Sequence, residues 1–181
     1  MRVLALLFFA SCTPTIASMR AALPRDYRTD EHTALVIFVR PSGYATTAAH
    51  TVVDEQGRLL GEARIKSNFV VHVSPGKHRF FVLTGSADAR ALDADLRAGH
   101  RYYVELSASP LGQADLYAIA PRVQQWSQRE LWVEHTDPLA LRESRVIESA
   151  AEREIASAHL DGLAEEDRRE RTLLPTDDGA P

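Results

Sequence analysis

Ala34-Leu35-Val36-Ile37-Phe38-Val39-Arg40, closed by Pro41 and Gly43, is the stretch on which the fold turns. It is β-branched and aromatic, apolar at nearly every position, and too short for a buried helix. Such a run reads as a central strand covered on both faces, because a strand with one wet face would alternate. Pro41 and Gly43 end it with turn chemistry.

Working outward from this strand, short apolar segments recur between polar turns. Thr46 to Asp54 and Leu59 to Ile65 flank Glu55-Gln56-Gly57-Arg58 and read as a hairpin. Asn68 to Val73 alternates Phe69, Val71 and Val73 against Asn68, Val70 and His72. Pro75-Gly76 follows, with proline presetting φ and glycine accepting a positive one, and His78 to Leu83 is the return strand. Ala91 to Leu96, Arg101 to Ser107 and Leu116 to Ile119 complete the series before Pro121. No helical pattern of ten residues interrupts it, which disfavours a parallel α/β sheet. The expectation is a mainly β fold: an antiparallel β-sandwich of about seven strands over residues 33–121.

The flanks differ in texture. Residues 19–32 carry Pro24 and the cluster Arg25-Asp26-Tyr27-Arg28-Thr29-Asp30-Glu31 without an apolar period, and read as a tether. After Pro121, Val123 to Glu134 holds Trp126 and Trp132 as a short helix or a last strand. Arg142 to Arg171 is the one long helical candidate within a C-terminal helical region of 122–172. Its stripe of Ile147, Ala151, Ile155 and Ala158 is narrow, the rest is densely charged, and Gly162 weakens its middle by about 1 kcal/mol relative to alanine. Residues 173–181 read as a disordered tail.

Residues 1–18 read as an export signal. Arg2 leads an uncharged apolar run, and Val3 to Ala10 falls far short of the roughly 20 residues that span a bilayer. Phe9-Ala10-Ser11-Cys12 has the order of a bacterial lipobox, with Phe9 where leucine is usual, and makes Cys12 the candidate lipidation site. A rival cut follows Thr15-Ile16-Ala17. Acyl chains on Cys12 would anchor the protein stably, each buried methylene adding about 0.8 kcal/mol. Removing the signal leaves roughly 165–170 of the 181 residues, enough for one domain with its own core. The formal charge is −4, and −5 once Arg2 is lost, from 20 basic and 25 acidic side chains. That balance opposes nucleic-acid binding, which needs a basic stripe. A single cysteine excludes an internal disulfide framework and a cysteine-based zinc site.

Candidate chemistry is sparse. His72 and His78 flank the Pro75-Gly76 turn and are weak candidates for a metal site completed by His50 or His100, against a plain reading as partly exposed strand residues. Asp93 and Asp95 share a strand face near Asp88, but the calcium-loop spacing is missing and a solvated face explains them more simply. Gly-x-Ser-x-Gly, Gly-rich phosphate loops and the dinucleotide fingerprint do not occur. Tyr102-Tyr103 and Phe80-Phe81 each predict one aromatic in the core and one exposed or at the rim. No catalytic residue and no cofactor is assigned.

Arg40-Pro41, the Asp54-Glu55-Gln56-Gly57-Arg58-Leu59-Leu60-Gly61 hairpin, Phe69-Val70-Val71-His72-Val73-Ser74-Pro75-Gly76-Lys77-His78 and Gly99-His100-Arg101-Tyr102-Tyr103-Val104 stand in a fixed order over residues 34–107. In that order they resemble an uncharacterised bacterial lipoprotein family with a small β-sandwich, and PEGA-type surface modules share the Pro-Gly turn. The resemblance implies no catalytic residues. With Thr13 rather than aspartate after Cys12, likeness to lipoproteins implies the outer membrane. The expected function is a non-enzymatic cell-envelope lipoprotein, a binding or structural module whose partner is an envelope protein or glycan. The alternative is a periplasmic small-ligand or metal-binding carrier.

Overall fold

The structure, a computed structural model, describes residues 18–22, 27–41, 48–84, 88–109, 113–119 and 131–177. The lipobox-like segment with Cys12, and Trp126, lie outside them. The described residues are mainly β, with eleven strands, two short helices and a further helical segment over 131–134 that includes Trp132.

One sheet has six strands in the order β1 (Met19–Ala21), β10 (Asp137–Leu141), β5 (Ser67–Val73), β2 (Ala34–Arg40), β8 (Arg101–Ala108), β9 (Ala114–Ala118). The other has five: β11 (Thr172–Leu173), β7 (Arg90–Leu96), β6 (Gly76–Leu83), β3 (His50–Val53), β4 (Leu59–Ala63). Both sheets are mixed rather than purely antiparallel. β2 runs parallel to β8, β10 to β5 and β11 to β7. The Pro75-Gly76 turn is the physical source of one departure from the expected meander. Instead of folding β6 back beside β5, it carries the chain across to the other sheet, with Gly76 at φ +116°. β8 then returns beside β2 and pairs with it in parallel.

β2 lies between β5 and β8 and is buried along its whole length. Ala34, Val36 and Phe38 face the space between the sheets, while Leu35, Ile37 and Val39 face a separate outer cluster. Phe38 stacks on Phe69 at 5.0 Å and meets Phe80 edge-on at 5.5 Å, so aromatic rings from both sheets lock the centre. Gly61 of β4 is glycine because the Phe69 ring rests on it: a Cβ there would lie 2.6 Å from that ring.

Both outer faces are covered, which overturns the one-in, one-out expectation for the paired aromatics. Tyr102 and Phe80 fill the central core, whereas Tyr103 packs with Ile119, Val133, Tyr27 and Trp132 outside the first sheet. Phe81 packs with Ala156 and Leu160 outside the second.

The long C-terminal helix resolves into pieces. Asp137–Leu141 is strand β10, and residues 145–147 stay extended because they cap the edge of β4: Leu59 N–H donates to the Arg145 carbonyl and Ile147 N–H to the Gly57 carbonyl. Gly57, at φ +77°, has the Ile147 oxygen 2.9 Å from where a Cβ would stand. Only then does α1 (Ala150–Asp161) begin, burying Ala156 and Leu160, and it ends at Gly162. Ala164 is extended, and the five-residue α2 (Glu165–Arg169) buries nothing. Met19–Ala21, expected within the tether, forms the sheet-edge strand β1. Leu173 and Asp177, expected in a disordered tail, are buried.

Candidate functional site

Where the two sheets meet at β7 and β9, the described residues assemble their densest set of charged contacts. Arg79 on β6 forks onto Asp93 on β7, with Nε to Oδ1 at 2.6 Å and Nη2 to Oδ2 at 3.0 Å. The same guanidinium reaches Asp161 at the end of α1, Nη2 to Oδ1 at 3.0 Å. Arg168 of α2 touches both carboxylates, at 3.4 and 3.3 Å. These hydrogen bonds and charges hold Arg79 more firmly protonated than an ordinary arginine, and Arg79 draws the Asp161 carboxyl below its usual range. Asp93, read from sequence as a solvated carboxylate, is therefore a structural acceptor. Asp95 stands across from Lys77 in the β6–β7 register.

Further along the seam, Arg171 forks onto Asp115 of β9, Nη2 to Oδ2 at 2.5 Å and Nε to Oδ1 at 3.2 Å. Its guanidinium also lies 4.8 Å from the centre of the Tyr117 ring. The hydrogen bond to Asp115 raises the affinity of Arg171 for its proton, and burial beside Asp115 raises that of Tyr117. Arg169 closes a local turn onto the buried Asp177 at 2.8 Å. An open hollow of about 590 Å³ lies over α2, lined by Glu165, Glu166, Arg168, Arg169 and Thr172.

The two candidate metal ligands are separated by the topology. His72 is on β5 of the first sheet, with Nδ1 3.1 Å from Thr33 Oγ1 and 3.6 Å from Asp30 Oδ2. Asp30 takes the Thr33 hydroxyl at 2.6 Å and the His32 and Thr33 amides, which hold its carboxyl below the usual range. His78 is on β6 of the second sheet, with Nε2 2.9 Å from the Ser74 carbonyl and Nδ1 3.5 Å from Glu55, and its ring stacked on Phe80. They share no partner. Among the described residues no group of three or more histidine, cysteine or acidic side chains is arranged to hold a metal ion.

His50, weighed only as a third ligand, is buried at the start of β3. Burial first, and then the charge of the buried Arg40, depress its pKa to about 4. Arg40 donates Nη1 to the carbonyls of Ala48 and Ala63, at 2.7 and 3.2 Å. This pair anchors one end of the sandwich.

Sequence reasoning missed Arg79, Asp115, Asp161, Arg168 and Arg171. Asp115 and Tyr117 do share a strand face at period two, the one signal available. Their partner lies more than fifty positions downstream, inside a charged run that reads as solvated helix. The chain matches no protein-family model, no curated protein and no solved structure.

Proposed function

We propose that this chain is a non-enzymatic lipoprotein of the bacterial cell envelope, anchored through Cys12 and facing the periplasm or the cell surface from the outer membrane, with a PEGA-like β-sandwich as a binding or structural module for an envelope protein or glycan. The observation that carries the reading is the Phe9-Ala10-Ser11-Cys12 order behind a short apolar run. The packing supports the second half of it. Phe38, Phe69, Phe80 and Tyr102 fill the space between the sheets, so recognition falls to edges and loops. No helix of the described residues is long and apolar enough to cross a membrane. The carrier alternative requires His72 and His78 to leave separate partners on separate sheets.

The position of β1 adds a geometric consequence. Met19 is buried and its carbonyl takes the Arg142 guanidinium, so the folded domain begins seven positions after Cys12. The seven Cα-to-Cα steps from Cys12 to Met19 reach at most about 25 Å. An acylated Cys12 thus holds the β1 edge close to the headgroups. Fatty-acid labelling tests the reading. Cys12→Ala is expected to abolish the label and move the protein from membranes to the soluble fraction; unchanged label and fractionation overturn the proposal.

A further inference from the structure

We propose that the seam between β7 and β9 is an acceptor site for an extended peptide bearing arginine and, two residues later, leucine, which this chain fills in cis with its own Arg171–Leu173. Backbone recognition comes from both sheets at once. Asp93 N–H of β7 donates to the Arg171 carbonyl at 3.0 Å, and Ala118 N–H of β9 donates to the Glu170 carbonyl at 2.7 Å. The pairing places Thr172 opposite Asp93 and Leu173 opposite Ala94, in parallel register.

Side-chain recognition has two parts. Asp115 takes the Arg171 guanidinium in a fork, with the Tyr117 ring beneath it. Leu173 is fully buried in the central core, among residues supplied by both sheets. Edge amides, a forked carboxylate, an aromatic face and an apolar socket are the components of strand-addition recognition, in which the main chain gives affinity and side-chain sockets give specificity.

The rest of the strap is built from short elements. β11 is two residues long, α2 buries no side chain, and the Arg168 contacts to Asp93 and Asp161 are half-exposed. Burial is concentrated at Leu173 and Asp177, and Asp177 is held by Arg169 within the same segment. Such a strap is an internal ligand whose advantage over an outside peptide is its effective concentration, on the millimolar scale for a short connection. The site stands independently of any lipid on Cys12.

The test uses the full chain and a fluorescent peptide of residues 168–177. By fluorescence anisotropy the wild-type chain, with its seam occupied, binds the peptide weakly. The Arg171→Ala chain, whose own strap has lost its fork while Asp115 and Tyr117 remain, binds it at least tenfold more tightly. Placing Arg171→Ala or Leu173→Asp in the peptide removes that gain. Equal binding of native and altered peptides, or no gain over wild type, overturns the proposal. If Arg171→Ala fails to fold, the Leu173→Ala chain takes its place with the same expectations. Hydrogen exchange on the wild-type chain decides separately. The amides of residues 170–174 are expected to exchange at least tenfold faster than those of β2 and β5, and exchange together with β2 rules out a separable strap.

Discussion

Phe38 and Arg171 each hold two sheets together, the first from inside the sandwich and the second from its rim. Phe38 is wholly buried, stacked on Phe69 and edge-on to Phe80. Its contribution is area removed from water and close packing, insensitive to salt and pH. Arg171 works through one forked carboxylate and one ring face at the boundary with solvent. Its contribution is directional, and it lasts only while the fork and the ring face stay aligned. The comparison teaches why one protein can carry a rigid centre and a releasable margin. Packing enforces cooperativity among residues that share a core, whereas ion pairs at a rim break a few at a time.

The largest effect is expected where the packing is broken. Phe38→Ala removes a ring that meets partners from both sheets and leaves a cavity that β2, pinned between β5 and β8, cannot collapse. A loss of about 3–5 kcal/mol is expected, read as a shift in the urea midpoint at unchanged slope. A loss below about 1 kcal/mol would mean that the core relaxes around the hole, and the contrast between centre and rim would fail.

Next comes a pH effect that belongs to a buried end of the sandwich rather than to the charged rim. In the unfolded chain the His50 imidazole takes a proton near its ordinary 6.5; in the folded chain it resists until about 4. Between those values the unfolded state binds more protons, so stability rises with pH across that window and falls as acid is added. The drop from pH 6.5 to 4 is expected to reach about 3 kcal/mol, because each tenfold rise in proton concentration across the window favours the unfolded chain by roughly 1.4 kcal/mol. His50→Gln should flatten this part of the curve. The depressed carboxyls of Asp30 and Asp161 act only below it, near and under their ordinary 3.8. Urea titrations from pH 4 to 7 on both proteins separate the two, and an unchanged slope in the variant removes His50 from the account.

The centre was legible in the sequence and the rim was not, for a physical reason. Ala34–Arg40 announced a strand covered on both faces because burial is written into each residue, and β2 is that strand. The Gly57 turn likewise announced β3 and β4. Pairing direction is not written residue by residue. Pro75-Gly76 reads the same whether the next strand returns beside β5 or crosses to the other sheet, and crossing brings β8 parallel to β2. The helix expected over 142–171 failed at both ends. Ile147 opens the expected helical stripe, yet its N–H is used by the Gly57 carbonyl. The run after Gly162 looked like a solvated face because its arginines find partners on β7, β9 and the end of α1 that no local period reveals. His72 and His78 are close in sequence, and the sheet crossing between them parts them.

The smallest effects are expected within the rim itself, and they grade it. Arg79 and Arg168 share Asp93 and Asp161, but Arg79 is about three-quarters buried and forks onto Asp93, while Arg168 is 41% exposed and meets both acids at more than 3.2 Å. A charged fork out of solvent keeps its value because water cannot easily replace it, and Arg79→Ala is expected to cost about 1–2 kcal/mol. An exposed cation pays side-chain entropy for each contact, so Arg168→Ala is expected to cost less than about 0.5 kcal/mol. Raising salt to about 1 M cuts the screening length to roughly 3 Å and should erase the second effect while leaving most of the first. Urea midpoints for both variants at low and high salt check the grading. Equal costs, or equal salt sensitivity, would mean that the seam acts as one undivided network and that α2 is fastened as firmly as α1.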